Sequence, residues 1–488
     1  MKNFLLLISI VFIGCTTPNS KKEKLAKDIF IQSDSRVENI EENLVPVHFL
    51  KNHSNRMSIS EMMEKDRVPG VSIAFIENGN ISWQKTYGYS NLQDSLPVTT
   101  KTLFNGASLS KPVAAMAALN LSEKGFIDLN EDVNAYLKNW KIPENKFTEE
   151  QKVTLKRLIG HTAGIINYVP QPYSLNDNSP NLVQMLSGTK PSVDLPASVI
   201  YVPGEQRKYS NPGYTIIQKM IEDVSDKNFE SVIEEIIFKP SEMYDSSFEQ
   251  PLPQNLLEKT ATGYSKDLKG YPYKLFPWKA AGGIWTTPTD LGKFIITLLE
   301  DYHSNKNIIL SKKMADSVFQ KKSERLGFGK LFSPVKQDLL FEHWGSSPGF
   351  TCYMVASLNK KQGVVIMTNS DNGTILLSYI ARSVAQEYNW DFLQPTIFKS
   401  FKLSVDEIMT YVGKFSGGNK EMVFEIYNEN LVVSDHQNNR TKLIPVGEKK
   451  FILKETNNLY EFLTDKNNKV NYVRITNSDS YNNDYRKQ

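Results

Sequence analysis

The chain has 488 residues, of which 40% are hydrophobic and 11% aromatic, enough for a large core and more than one domain. Its 57 basic and 54 acidic residues leave a net charge of only +3. This balance argues against a protein that binds nucleic acid or an anionic surface, and the aromatic content argues against a disordered chain.

The N-terminal residues indicate export. In "MKNFLLLISIVFIGC", Lys2 precedes an apolar run that is too short to span a bilayer. The Gly-Cys15 end of this run resembles a bacterial lipoprotein signal, cut before Cys15 with lipid added to its sulfur; the alternative is an ordinary signal peptide. We predict a signal peptide over residues 1–14 and a polar stalk over 15–45. The protein is then lipid-anchored to a bacterial membrane, facing the periplasm or the outside.

Residues 46–395 carry both helix and strand signals. "ISEMMEKDRVPG" predicts a short helix that ends before Pro69, and "ENGN" predicts a hairpin turn between two strands. "SKPVAAMAALNLSEKGF" predicts a helix that stops at Gly125. "TTPTDLGKFIITLLEDY" predicts a helix with Thr287 as its N-cap and Pro288 at its first position.

The C-terminal third changes character along its length. "CYMVAS" and "GVVIMTN" predict two strands, and "ILLSYIARSVAQEY" predicts a helix. Residues 400–488 then carry short strand patterns at turn-rich spacing, such as "FEIYNENLVVSD". These patterns predict a small, separate β-rich domain.

A serine nucleophile needs a base, and a lysine one helical turn later can provide it. The pattern S-x-x-K begins at five serines, namely Ser82, Ser108, Ser187, Ser333 and Ser357. Only Ser108 opens a convincing helix, where free backbone amides and the helix dipole favour a developing negative charge. Lys111 would lie one turn inside. The alternative is that Ser108 only caps the helix and Lys111 is solvated.

The pattern Y-x-N marks a second candidate. It occurs at Tyr89, Tyr209 and Tyr481, and only Tyr209 lies between a Pro-Gly turn and the start of a helix. A phenol near a cationic lysine would have a lowered pKa and could act as a base. Asn211 would bind a substrate carbonyl or hold Lys111.

The segment "HWGSSPGF" offers a competing nucleophile. It matches G-x-S-x-G with Ser347 in the central position, the nucleophile elbow of α/β-hydrolases. That hypothesis requires a helix after Ser347 and a histidine later in the chain. Pro348 and a strand-like run follow instead, and the only later histidine is His436.

Six motifs in order carry a resemblance to a known family. They are "GVSIAFIENGNISWQKTYGYSNL", "TLFNGASLSKPVAA", "LIGHTAGI", "PGEQRKYSNPGY", "AAGGIWTTPTDLGKF" and "HWGSSPGF". Over residues 57–390 the chain resembles the serine beta-lactamase and penicillin-binding-protein family, most closely its class C beta-lactamase and D-alanyl-D-alanine carboxypeptidase branch. The resemblance implies an α+β fold: an antiparallel sheet flanked by helices, with an inserted helical subdomain and the C-terminal β domain in addition.

The resemblance also implies a serine hydrolase that cleaves an amide or ester of a small molecule or short peptide. Ser108 would be the nucleophile, with Lys111 and Tyr209 as general acid and base. The residues expected to bind substrate or form the oxyanion hole are Asn211, His343, Gly345 and Ser346. The runner-up hypothesis is a catalytically silent ligand- or peptide-binding sensor on the same fold.

The segment at His343 departs from the enzymes of this branch, and a second histidine, His161, invites a catalytic interpretation. His343 stands where class C beta-lactamases carry lysine, and the bulky Trp344 follows it. His161 in "GHTAG" is interpreted as a packing residue. No cofactor is expected, and no metal either, because the histidines lack ligand spacing.

Overall fold

The computed structural model describes eight stretches of the chain. They are residues 35–51, 56–320, 325–333, 337–417, 420–434, 439–453, 458–476 and 482–488. The predicted signal peptide, Cys15 and His436 lie outside the described residues. No helix within these stretches is both long and apolar enough to cross a membrane.

Thirteen α-helices occur in the described residues. They are α1 (Ser35–Glu42), α2 (Ile59–Asp66), α3 (Ser110–Glu123), α4 (Leu155–Ile159), α5 (Leu182–Ser187), α6 (Asn211–Ser225), α7 (Phe229–Ile233), α8 (Gln254–Leu257), α9 (Lys279–Gly282), α10 (Pro288–His303), α11 (Lys312–Phe319), α12 (Thr374–Glu387) and α13 (Val405–Met409). 3₁₀ turns cover Ala107–Leu109 and Val133–Ala135, and a π-helical turn covers Glu234–Phe238.

The strands divide between a main domain and a C-terminal barrel. The first group is β1 (His48–Leu50), β2 (Gly70–Glu77), β3 (Asn80–Asn91), β4 (Leu96–Pro97), β5 (Phe104–Asn105), β6 (Trp285–Thr286), β7 (Gly329–Ser333), β8 (Asp338–Ser347), β9 (Phe350–Ser357), β10 (Gln362–Thr368) and β11 (Thr396–Phe398). The second group is β12 (Gly413–Gly417), β13 (Lys420–Tyr427), β14 (Asn430–Ser434), β15 (Arg440–Gly447), β16 (Lys450–Leu453), β17 (Asn458–Thr464), β18 (Val470–Thr476) and β19 (Asn482–Lys487).

The main sheet is antiparallel, in the order β4-β3-β2-β10-β9-β8-β7. Asn78 and Gly79 both have positive φ and form the predicted hairpin turn between β2 and β3. Helix α10 covers one face of the sheet, and α1, α2 and α12 pack against the other. Strands such as β9 are buried along their whole length because helices cover both faces. The predicted α+β architecture is confirmed.

Helix α1 differs from the stalk that composition indicated for residues 15–45. Its sequence is polar overall, but Val37 and Ile40 lie on one side and are buried against α12. Leu44 and Val45 after the helix are buried too. Four apolar side chains therefore bring residues 35–45 into the fold, and the rest of the predicted stalk lies outside the described residues.

The helical part of the main domain is inserted between β5 and β6. Helix α3 is its central element, and it is apolar and buried on almost every side, as expected of a helix surrounded by others. It ends at Glu123, and the predicted stop residue Gly125 follows the C-cap with a φ of +81°, which suits glycine. The turn Ala107–Leu109 leads directly into α3, at the junction of the helices and the sheet.

Strands β12 to β19 close into an antiparallel barrel, which confirms the predicted β-rich domain. Phenylalanine and tyrosine rings fill its interior, with Phe462 in contact with the rings of Tyr411, Phe415, Phe424 and Phe451. Strand β11, which lies between the main sheet and the barrel in the chain, pairs in parallel with β1, which precedes the main sheet.

Candidate active site

Ser108 lies in the turn before α3, and this turn is held in an unusual conformation. Ala107 has a φ of +46°, which a residue with a side chain adopts only when its surroundings impose it. The amide of Ala107 donates to the side-chain oxygen Oδ1 of the buried Asn105 at 3.0 Å. The same oxygen accepts from Ser347 Oγ at 2.8 Å. Asn105 thus ties the turn of Ser108 to the end of β8.

Lys111 reaches Ser108 from beneath. Its side chain is 0% exposed, and Nζ donates to Ser108 Oγ at 3.0 Å and to the carbonyl of Ala281. The rings of Tyr209 and Tyr214 lie 4.9 and 5.7 Å from Nζ. Burial lowers the pKa of Lys111 well below its usual value. This lowering favours the neutral amine, the form that can accept a proton from Ser108.

Tyr209 completes the contacts of the Ser108 hydroxyl. It lies just before α6, and its hydroxyl donates to Ser108 Oγ at 2.8 Å. Burial raises the pKa of Tyr209 to about 12, although the hydrogen bond to Ser108 and the charge of Arg207 oppose the rise. The expected lowering of this pKa is therefore wrong. Burial disfavours the phenolate more strongly than the hydrogen bond to Ser108 and the charge of Arg207 favour it.

His161 supports Tyr209 from behind without touching Ser108. Its ring packs 4.4 Å from the ring of Tyr209, and its Nδ1 accepts from the amide of Ser210 at 3.2 Å. Burial, followed by the charge of Lys111, lowers the pKa of His161 well below its usual value, so the ring stays a neutral acceptor. The "GHTAG" histidine positions the Tyr209 loop.

Asn211 lines the cleft together with Ser108, but its hydrogen bonds go to the loop of residues 167–168. Its Nδ2 donates to the carbonyl of Tyr168 at 2.9 Å, and its backbone amide donates to Asn167 Oδ1 at 3.1 Å. Within the described stretches it forms no hydrogen bond to Lys111. Asn211 therefore fixes the loop of residues 167–168 at the cleft.

The edge of β8 forms the opposite wall, and Gly345 lets it come close. A Cβ at this position would lie 2.5 Å from both Cys352 Sγ and the carbonyl oxygen of Gly106. No larger residue fits without moving β8 away from the turn that carries Ser108. Ser346 follows in the chain and lines the cleft.

His343 is the polar side chain that β8 presents to the cleft. Burial, followed by the charge of Lys111, lowers the pKa of His343 to about 3. Its Nδ1 lies 2.8 Å from the carbonyl oxygen of Trp344. A carbonyl only accepts, so Nδ1 carries the proton and Nε2 is left as an acceptor. A neutral, hydrogen-bonding role of His343 agrees with this environment.

Trp344 lines the same wall. Its indole stacks on Tyr353, its cross-strand neighbour, with ring centroids 3.8 Å apart and planes at 23°. The side chain is still 37% exposed. Trp344 is therefore a fixed aromatic surface at the cleft.

Six of the predicted site residues line one cleft of about 700 Å³, namely Ser108, Tyr209, Asn211, His343, Gly345 and Ser346. Lys111 lies directly below its floor. Sequence reasoning did not single out Arg207, Arg325 or Trp278, which also line this cleft. Arg207 stands two residues before Tyr209, and this position in the motif was the one signal in the sequence that could have assigned it to the cleft. Arg325 reaches the cleft from a distant segment that carries no motif.

The two arginines give the cleft its positive charge. Neither forms a hydrogen bond or salt bridge within the described parts of the chain. Burial, followed by the neighbouring charge of Arg325, lowers the pKa of Arg207. Glu342 also lines the cleft, and burial raises the pKa of its carboxyl although the charge of Arg325 opposes the rise. Two cations held near each other favour an anionic ligand group.

Ser347, the alternative nucleophile, lies at the end of β8. The chain then turns through Gly349 into the antiparallel strand β9. A nucleophile elbow requires a helix after the serine. The α/β-hydrolase hypothesis is therefore wrong, and the hydroxyl of Ser347 supports Asn105 instead.

The fold is an antiparallel sheet with a helical insertion, and a serine lies between a buried lysine and a tyrosine where the two meet. These features place the chain in the class of beta-lactamase-related serine hydrolases. The Beta-lactamase family model matches residues 56–386. This match covers well over half of the chain, which therefore belongs to the Beta-lactamase family.

Known relatives agree with this assignment. Protein flp of Staphylococcus aureus (strain MRSA252) is 24% identical over 321 residues, 64% of this chain and 61% of that protein, so the chain spans about three fifths of this relative. Penicillin-binding protein 4* of Bacillus subtilis (strain 168) is 25% identical over 431 residues, 82% of this chain and 91% of that protein. The structure of the octameric penicillin-binding protein homologue from Pyrococcus abyssi superposes with a TM-score of 0.59 at 22% identity, over 88% of this chain and 98% of that one, and shows the shared fold.

Proposed function

We propose that the protein is a serine hydrolase that forms an acyl-enzyme on Ser108. The observation that carries the proposal is the hydroxyl of Ser108, held 3.0 Å from the amine of Lys111 and 2.8 Å from the phenol of Tyr209. A buried amine with a lowered pKa can act as the base in its neutral form, and the protonated phenol can act as the acid.

In the acylation step, Lys111 takes the proton of Ser108 while Oγ attacks the carbonyl carbon of an amide or ester. The backbone amides of Ser108 and Ser346 stabilise the oxyanion. When the bond to the leaving group breaks, Tyr209 donates a proton to that group and recovers one from Lys111. Water then attacks the acyl carbon and gives a proton to the same pair, and the pair returns a proton to Ser108 Oγ as the bond between Oγ and the acyl group breaks.

The substrate is a small molecule or short peptide, of the D-Ala-D-Ala carboxypeptidase, D-aminopeptidase or esterase type. Arg207 and Arg325 favour a substrate with a carboxylate, because both line the cleft and neither forms a salt bridge within the described residues. A panel of p-nitrophenyl esters, nitrocefin and D-amino-acid peptides, each in anionic and neutral versions, identifies the type.

Covalent labelling tests the proposal. A fluorescent penicillin and a fluorophosphonate should label the wild type and Ser347→Ala, and should fail to label Ser108→Ala. Undiminished labelling of Ser108→Ala, or no labelling of the wild type, would contradict it. Retained ligand binding without any turnover would favour the silent sensor.

We also propose export and lipid anchoring at Cys15, on the basis of the sequence alone. Metabolic labelling with a palmitate analogue should mark the wild type and not Cys15→Ser. Equal labelling of both would exclude the anchor.

A further inference from the structure

A second cavity lies across the turn that follows β8. Its volume is about 280 Å³, less than half of the roughly 700 Å³ of the cleft. Pro348 lines this cavity, whereas the preceding Ser347 lines the cleft, and no described residue lines both. The two spaces are therefore neighbours and not one continuous groove.

The walls of this cavity are aromatic and fixed. Trp285 stacks on Tyr273, with centroids 5.5 Å apart and planes at 24°, and meets Phe350 edge-on at 5.5 Å and 81°. The hydroxyl of Tyr273 accepts from the amide of Leu252 at 3.1 Å, which holds its ring in place. These three rings form a preformed apolar wall of a size that suits a ligand with a single aromatic ring.

The polar character of the cavity is cationic. Lys274 is the one charged side chain among its described lining residues, and no carboxylate lines it. Nζ of Lys274 donates to Ser174 Oγ at 2.6 Å and makes no salt bridge within the described residues. The buried Nε1–H of Trp285 has no hydrogen-bond partner among the described residues. A carboxylate would supply the missing negative charge.

We propose that this cavity is a second binding site that takes a small aromatic carboxylate, with the ring on the aromatic wall and the carboxylate on Lys274. The ligand is a separate molecule and not an arm of the cleft substrate, because no described residue connects the two spaces. The site does not depend on the proposed chemistry of Ser108.

Calorimetric titration with 3-phenylpropionate tests the site, with 3-phenylpropanol and propionate as comparators that lack the charge or the ring. The wild type should bind 3-phenylpropionate most tightly of the three. Lys274→Met should weaken this binding about tenfold and abolish the preference over the alcohol, as expected for one charge-assisted hydrogen bond. Thr262→Phe, which fills the cavity, should prevent binding while the thermal midpoint shows that the protein is folded.

Two matched variants locate the ligand. Lys269→Met removes an exposed lysine of the same region, and Arg207→Ala alters the cleft; both should leave the affinity unchanged. No measurable binding by the wild type would overturn the proposal, and so would an unchanged affinity in Lys274→Met. Weakening by Arg207→Ala would place the ligand in the cleft or across both spaces, which also overturns it.

Discussion

The main domain buries polar and charged side chains beside its hydrophobic core, whereas the interior of the C-terminal barrel consists mainly of aromatic and aliphatic side chains. The main domain places Lys111, Asn105 and His161 in its interior next to an open cleft. The barrel fills its interior with rings such as Phe451 and Phe462. Burying a polar group costs stability unless partners compensate for it, whereas burying a ring is favourable. The difference indicates that the main domain gives up stability for chemistry and that the barrel interior serves packing alone.

The strongest test of this contrast is Lys111→Met, which keeps the length of the side chain but removes the base. We expect acylation of Ser108 to slow by about 10³- to 10⁴-fold, at the upper end of what general-base catalysis contributes. The free energy of unfolding should stay equal or rise, because a buried amine is replaced by an apolar group. Stopped-flow labelling and thermal unfolding measure the two effects. Normal acylation in Lys111→Met would assign the base to another group.

The converse test is Phe462→Ala in the barrel. This ring contacts four other aromatic rings, so its loss should destabilise the barrel by about 3–5 kcal/mol. The acylation rate of Ser108 should not change. Calorimetry and labelling follow the two quantities, and Val423→Ala on the barrel surface is the control. A parallel loss of acylation would show that the barrel contributes to the cleft.

Tyr209→Phe probes the acid of the site. The variant keeps the ring that packs on His161 but removes the hydroxyl that donates to Ser108. Turnover should fall about 10²-fold, the lower end for a general acid. Esters with good leaving groups should be less affected than amides, because they need less protonation. Equal losses for both substrate types would contradict the role of Tyr209 as the proton donor to the leaving group.

The motif residues of the site were predictable because short local patterns fix them. Ser108 lies in the turn directly before α3 and Lys111 at the second residue of α3, and Tyr209 precedes a helix start that the sequence indicates clearly. The direction of the pKa of Tyr209 was not predictable, because it depends on how deeply the fold buries the phenol. Arg325 was missed for the same kind of reason: only the tertiary fold brings it to the cleft.

In the fold, too, elements set by local residues were predictable and elements set by tertiary packing were not. Hairpin and capping residues predicted the turn at Asn78 and the start of α10 at Thr287, where the side chain of Thr287 accepts from the amide of Asp290. The helix α1 was not predictable from its polar composition. Its two buried residues, Val37 and Ile40, gain apolar surroundings only in the folded chain, where α1 packs against α2 and α12.

The smallest expected effect comes from His343→Gln, and it separates a neutral from a charged role. Since the pKa of His343 is lowered to about 3, the imidazole is already neutral between about pH 5 and 8. Acylation should rise with pH only as Lys111 loses its proton, and it should be lost as the pH falls below the lowered pKa of that amine. Glutamine also offers an acceptor, so the variant should keep the shape of the pH profile and lose less than about tenfold in rate. A limb of the wild-type profile near neutral pH that disappears in His343→Gln would show that the imidazole titrates in the working enzyme.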